Sequence, residues 1–469
     1  MPASGSDGTG RLGARVPMTA ELLLGLDLGT THVKAAVVTV DGRERAHGSA
    51  PTPWRTLATG AELDPRALVE TAVTAARAAL AAAPEGRVIG VGVTSMAETG
   101  ALLDREGEPV TPMIAWHDTR GDEQAGELAR AVGPQWFARR AGLPMSRLCT
   151  ASKYRWLRAH LPGAKEGVRW LNVAEWLVRS LGGEEVAELS LSSRTGFLDL
   201  ARKEWLDEVL DAVEAPAGFL PDPADAGTPA GTVSRTLDEA RGAVLTVAGH
   251  DHPCASVGAG ATEPGDVFDS CGTAEAFVRV LETPLSPDDV ERAVSGGVTV
   301  GWSAVPNQQA LMAGFVSGLA LTRFLNLLGV GKKGRAALDA AAVALRSGAD
   351  GVLVAGVTDD RATLEGIPRS VTPAHVWRAA IEAVTRHGAQ VLETIEAVAG
   401  PTTRLVVTGG WARSVAVGAV KREILGPYDE PAVEEAGARG AALIAGLAAG
   451  AFSGIEDLPP IARVRRDEA

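Results

Sequence analysis

The sequence predicts an α/β protein of two domains, and three observations carry that prediction. The first is length: 469 residues exceed one ordinary core and call for two domains of roughly 200 residues each. The second is the alternation of strand-like and helix-like segments in both halves of the chain. The third is a weak internal repeat, in which an apolar run, a Gly-Thr tip and a second apolar run occur once in each half.

In the first half, the apolar run at 21–28 ends in Asp27-Leu28-Gly29-Thr30-Thr31, and a second run follows at 33–40. This reads as a hairpin with a Gly-Thr-Thr tip. Asp64-Pro65 places an N-cap residue before an N1 proline, and Val69, Val73, Ala76 and Leu80 give the following helix one apolar face. A strand is expected at 88–93, and a strand end at 114–116 runs into a polar segment. Residues 121–243 read as mostly helical, with an irregular Pro-rich connection at 216–229.

The second half opens with a strand at 244–249 that delivers His250, Asp251 and His252 at its carboxyl end. A helix is expected to start at Pro253. Strands at 266–270 and 276–280 flank the turn Cys271-Gly272-Thr273. Thr372-Pro373 caps a long helix, and a buried-type strand at 405–407 leads into Thr408-Gly409-Gly410, followed by helical segments through Lys421 and at 434–447. The domain boundary is expected near Pro253, which gives domains at 21–253 and 254–469.

Bulk properties exclude several classes. A net charge of −13 argues against general binding to nucleic acid or anionic membrane. The three cysteines, Cys149, Cys254 and Cys271, are far apart and lack CxxC spacing. They support neither a disulfide framework nor a zinc site, and a reducing cytoplasm fits them. The most apolar stretch, 440–452, is shorter than the roughly 18 residues that a membrane span requires. Residues 1–20 have no apolar signal core and read as a disordered leader.

Two glycine patterns fail their structural context. Gly8 to Gly13 fits GxGxxG but lies in the leader with no strand before it, and the P-loop-like spacing at 329–334 is followed by Arg335 and Ala336 instead of Lys and Ser/Thr. His250 and His252, two apart at a strand end, make a poor metal pair.

The remaining candidates fit phosphate and hydroxyl chemistry. A Gly-Thr-Thr turn exposes backbone N–H groups and hydroxyls with little bulk in the way, although an ordinary hairpin turn has the same pattern. Asp27 could hold Mg²⁺, which prefers oxygen ligands, and Lys34 could neutralise a phosphate. Asp251 could accept the proton of an attacking hydroxyl, or it could cap the following helix. Glu98, Trp116 and Asp118 offer acceptors and a flat wall for a polyol, and core packing, a turn or a cap would account for them equally.

In this order the segments resemble the FGGY carbohydrate kinases (xylulokinase, glycerol kinase, gluconokinase and relatives). That resemblance implies the two-domain actin/Hsp70-like ATPase fold, ribonuclease H-like, with a cleft between the lobes. The motifs that carry it are Asp27 to Thr31, 92–99, 114–120, 248–251, 270–273, 409–414 and 440–442. The resemblance implies an ATP- and Mg²⁺-dependent kinase with Asp251 as general base. It implies Thr30, Thr31, Gly272 and Thr273 on the phosphates, Lys34 near them, and Gly318, Gly409 and Gly410 lining the nucleotide pocket. Glu98, Trp116, Asp118 and His252 fall to the acceptor. The Arg that precedes the Glu in glycerol kinases is Ala97 here, an aromatic of their site is Leu148, and the Met-His of xylulokinases is Met96-Ala97. The expected substrate is a small sugar, a ketose such as a pentulose. An aldonate or polyol is the alternative within the family, and an actin-like ATPase switch or a silent sugar sensor is the alternative outside it. A homodimer is the default assembly.

Overall fold

The computed structural model describes residues 20–359 and 361–463. The expected leader, apart from Ala20, and the glycine pattern at 8–13 lie outside the described residues.

Two five-stranded sheets organise the chain. The N-terminal sheet begins with the antiparallel hairpin Glu21–Leu28 and His32–Thr39. Glu44–Pro51 extends it antiparallel on one side, and Arg87–Ser95 and then Val244–His250 extend it parallel on the other. The C-terminal sheet repeats this plan. Asp266–Cys271 pairs antiparallel with Glu275–Val280, Gln309–Phe315 and Thr299–Trp302 continue the antiparallel side, and Arg404–Thr408 lies parallel on the other. The repeat read from the two Gly-Thr tips is therefore a repeat of sheet topology. Of the third antiparallel strands, Glu44–Pro51 does not stand out from its surroundings as an apolar run, whereas Gln309–Phe315 carries the short apolar run Ala310 to Phe315, which periodicity alone does not assign to a strand.

Alternation along Glu21–Leu28 explains how the first lobe is built. Leu22, Leu24, Leu26 and Leu28 face one core that also takes Leu68, Ala72, Ala75 and Ala79 of the helix Pro65–Ala82. Leu23, Gly25 and Asp27 point the other way, toward Ala436–Ala448. Both faces are covered, so the strand reads as nearly continuous apolar sequence, with about 1.5–3 kcal/mol gained per fully buried Leu. The helix lies so close that a Cβ on Gly25 would sit 1.8 Å from the Ala438 carbonyl oxygen. The last α-helix of the described residues therefore returns to the first sheet.

The helix Asp251–Gly258 starts two residues before the expected Pro253. Its N-cap is His250, and Asp251 is the first helical residue. The reading of Asp251 as the N-cap is thereby corrected, although its Oδ1 still accepts the first-turn N–H of His252 at 2.7 Å. The expected boundary near Pro253 falls inside this continuous helix. The helix crosses Ala436–Ala448 at glycines, since a Cβ on Gly258 would lie 1.9 Å from Ala436 O and one on Gly440 would lie 2.0 Å from Cys254 O.

Candidate active site

Strand ends and helix starts of both lobes converge on one cleft of about 830 Å³. Asp27 comes from the end of the first strand and Asp251 and His252 from the start of the helix after Val244–His250. Gly409 and Gly410 follow Arg404–Thr408, and Glu435 to Gly437 open the last helix. Lys34, across the hairpin from Asp27, lines the same cleft and donates to Glu435 at 2.6 Å. Gly409 holds φ at +100°, and a Cβ there would lie 2.4 Å from the Cys271 carbonyl oxygen. Only glycine lets this turn approach the second hairpin tip so closely.

The two aspartates of the cleft have opposite electrostatics. Burial, and then the neighbouring charge of Asp251, push Asp27 up to about 7, against the pull of Lys34. Its Oδ1 is buried and has no hydrogen-bond partner. A carboxylate oxygen of this kind, facing a second carboxylate, is what a divalent cation would satisfy, so Asp27 fits a Mg²⁺ site. For Asp251, burial acts upward, but His252 and His250 outweigh it and hold the carboxyl at about 2. Oδ1 accepts the His252 N–H at 2.7 Å and lies 3.1 Å from His250 Nε2. Burial also lowers His252 below its ordinary value, against the pull of Asp251. His252 is therefore neutral at pH 7, and at that pH the hydrogen bonds from His250 and the backbone hold Asp251 ionised.

A second cavity of about 420 Å³ adjoins the cleft. Asp251 and His252 line both. Its walls include Met96, Trp116, Leu148, Met312 and Phe315, and its polar groups include Glu98, Arg194 and Thr299. Trp116 Nε1 donates to Thr30 Oγ1 at 2.9 Å, which fixes the indole as a wall. The buried Lys153 ammonium donates to the carbonyls of Glu98 at 2.9 Å and Trp116 at 3.0 Å, tying the segments around them together. Burial lowers Lys153 to about 8, with Glu98 opposing.

Of the residues expected from sequence, Asp27, Lys34, Asp251, His252, Gly409 and Gly410 meet in the cleft, and Glu98, Trp116 and His252 meet in the adjoining cavity. Thr30, expected on the phosphates, lines the adjoining cavity. Thr31 is exposed at the hairpin tip. Gly272, Thr273 and Gly318 form a tight junction behind the second tip. Leu319 N–H donates to Thr273 O at 3.0 Å, and a Cβ on Gly318 would lie 2.1 Å from Gly272 O. Asp118, expected at the acceptor, does not line the adjoining cavity. It is fully buried, and both its oxygens are bound by Arg120, which also holds Glu62. The reason is local: Arg120 lies two residues on in a tight turn, close enough to take the carboxylate bidentately.

Sequence reasoning missed two residues. Arg194 follows a short helix with no motif around it, and its partner Glu98 is 96 positions away, so no spacing marks it. Lys153 could have been found, because it sits among Ala151, Tyr154 and Leu157 on the apolar face of Thr150–His160, where a charge demands a partner.

Behind the second tip, Asp269, Cys271 and Glu275 bring ligand-type atoms within 4.8 Å of one another. Lys421 occupies the centre of this group, with Nζ 2.5 Å from Asp269 and 2.6 Å from Glu275.

The chain matches the N-terminal domain of the FGGY family of carbohydrate kinases over residues 22–258 and the C-terminal domain over 270–449. It is 31% identical over 483 aligned positions to a glycerol kinase of Aromatoleum aromaticum, covering 95% of this chain and 93% of that one. It is 30% identical to a glycerol kinase of Bordetella parapertussis, over 94% and 91% of the two chains. Among solved structures it superposes on a xylulose kinase from Rhodospirillum rubrum with TM-score 0.84 and 25% identity, over 95% of this chain and 94% of that one. A gluconate kinase from Lactobacillus acidophilus, 17% identical, shares the fold with TM-score 0.85 over 95% and 93% of the chains. The two-lobed fold is thus the actin/Hsp70-like kinase fold, and the chain is a phosphotransferase that belongs to the FGGY family of carbohydrate kinases.

Proposed function

We propose that the protein transfers the γ-phosphate of ATP to a hydroxyl of a small sugar, a ketose such as a pentulose, with Asp251 as general base. The observation that carries this reading is that Asp251 and His252 line both the nucleotide cleft and the acceptor cavity. A carboxylate at that junction can reach the hydroxyl that attacks and stands beside the phosphate it attacks.

Asp251 is ionised throughout the neutral range, so it is ready to accept a proton. It is also a weak base, which suits a loose phosphoryl-transfer transition state in which the proton leaves late. Lys34 and the backbone at Gly409 and Gly410 stand where phosphate and nucleotide would be held. Asp27 would hold Mg²⁺, which supplies charge neutralisation on the phosphates when bound. Trp116, Met96 and Phe315 offer apolar faces to sugar C–H groups and keep water from the reacting hydroxyl. The acceptor cavity measures about 420 Å³ and opens onto the cleft. That room supports a substrate larger than glycerol, and the departures at Ala97 and Leu148 point the same way.

The test is ADP release from Mg·ATP across pentuloses, hexuloses, aldonates, polyols and glycerol, with Asp251→Ala as control. An acceptor that raises ADP release only in the parent protein supports the reading. ATP binding with no stimulation by any acceptor overturns it in favour of a sensor or a protein-directed ATPase.

A further inference from the structure

We infer that Glu98 and Arg194 act as a charge-compensated recognition pair that admits neutral hydroxylated acceptors and turns away aldonates and other acid sugars. The inference rests on the acceptor-kinase reading above and goes beyond it in naming the substrate class and a residue that sets it.

Glu98 is held in an unusual backbone state, with φ at +58°. For a residue with a side chain this conformation is costly and persists only when its surroundings fix it. Here the Lys153 ammonium fixes it by binding the Glu98 carbonyl, and the side chain lines the acceptor cavity. Arg194 meets it there. Its Nε lies 2.8 Å and its Nη2 2.7 Å from Glu98 Oε1, while Nη1 donates to Thr299 Oγ1 at 2.8 Å. The two side chains are 13% and 10% exposed, so the pair is largely desolvated but open toward the cavity. Thr299 belongs to the C-terminal sheet, so the guanidinium also spans the two lobes.

The hydrogen-bond inventory gives the selectivity. A guanidinium carries five N–H donors; Nε and Nη1 spend one each on Glu98 and Thr299, Nη2 makes an ion-pair contact, and further donors remain. Among the described residues, Oε2 of Glu98 takes no hydrogen bond. The pair thus presents donors and an acceptor side by side with no net charge. A hydroxyl both donates and accepts and matches that surface. A carboxylate only accepts, and it would face a guanidinium already neutralised by Glu98.

The other charged groups of the cavity do not help an anion. Asp251 is a carboxylate, Glu275 is a carboxylate held by Lys421, and the Lys153 ammonium is committed to two backbone carbonyls. His252, kept neutral at pH 7 by its burial, adds no positive charge. A cavity with one compensated cation and further carboxylates repels an acid sugar.

The test compares D-xylulose and xylitol with D-gluconate, by ADP release and by calorimetric binding in the presence of MgADP. The parent is expected to favour a neutral acceptor over gluconate by about 100-fold or more in kcat/KM. Glu98→Gln keeps the shape and frees the Arg194 charge. It is expected to raise gluconate use and binding about tenfold and to lower neutral use about tenfold, a change of opposite sign that a merely structural role would not produce. Arg194→Gln leaves Glu98 uncompensated and should weaken neutral binding without any gain for gluconate. Arg194→Lys keeps the charge and should retain the neutral preference with weaker binding. A parent that prefers gluconate, or a Glu98→Gln variant that loses both acceptors equally, overturns the inference. If no acceptor is turned over but the opposite-sign binding change is seen, the kinase reading fails and the recognition pair stands.

Discussion

Replacing Lys421 with methionine should unfold the C-terminal lobe far more readily than a surface substitution would, and pH should modulate the loss. Lys421 is 2% exposed, Asp269 0% and Glu275 2%. Its ammonium bridges the strand before the second hairpin tip to the strand after it. Methionine fills the stem but leaves two carboxylates together in a dry site, with Asp269 Oδ1 already unpartnered. Removing one partner of such a group costs about 3–5 kcal/mol. For a lobe of roughly 200 residues, at about 2–4 °C per kcal/mol, the midpoint should fall by about 6–20 °C.

The pH dependence follows from Asp269. Burial first, and Glu275 second, raise it to about 7 even with Lys421 opposing them. Loss of Lys421 raises it further. A carboxyl whose folded pKa lies above its unfolded value loses stability as pH rises through the folded value. The deficit of Lys421→Met should therefore be smaller at pH 5 than at pH 8. Differential scanning calorimetry at both pH values measures it. Adding Asp269→Asn and Glu275→Gln should recover much of the loss. A Lys421→Met midpoint within about 2 °C of the parent at pH 8, or a larger deficit at pH 5, would refute the reasoning.

Asp251→Asn should lower turnover by about 10²–10⁴-fold while nucleotide affinity, read by calorimetry, is retained. Because Asp251 titrates at about 2, its ionised form is lost only as pH falls toward that value, and the pH–rate profile should show no acid limb from it above about pH 4. Asp27 sits at about 7, so cation binding displaces a proton and should strengthen about tenfold from pH 6 to pH 8. Asp27→Asn should remove that part of the dependence, leaving the titration of the nucleotide itself. Gly409→Ala forces a Cβ to within 2.4 Å of Cys271 O at φ +100°. It should cost about 1–3 kcal/mol in thermal or denaturant unfolding and raise the KM for ATP.

Much of the fold was legible because its signals are local. The runs 21–28 and 244–249, the Asp64-Pro65 helix start and the Thr372-Pro373 start each lie within a few residues, and the structure holds them as Glu21–Leu28, Val244–His250, Pro65–Ala82 and Pro373–Ala399. Asp27, Asp251, Gly409 and Gly410 were legible for the same reason, since each sits where an apolar strand stops, and strand ends gather at one edge of a sheet. Glu44–Pro51 was not, because an edge strand with a half-exposed pattern resembles a loop in composition.

Sequence by itself determined the two-lobed α/β class, the paired Gly-Thr tips, the chemistry of the residues at strand ends and, by the order of these motifs, the family. Tertiary structure alone decided which side chains face one another. It turned Asp118 into the partner of Arg120, set Thr30 against Trp116, and brought Arg194 to Glu98 across 96 positions. It also laid the last helix on the first sheet through Gly25 and Ala438. Local propensity acts over a few residues, whereas hydrogen bonds and charge pairs depend on distances of a few ångströms between groups that the chain keeps far apart until it folds.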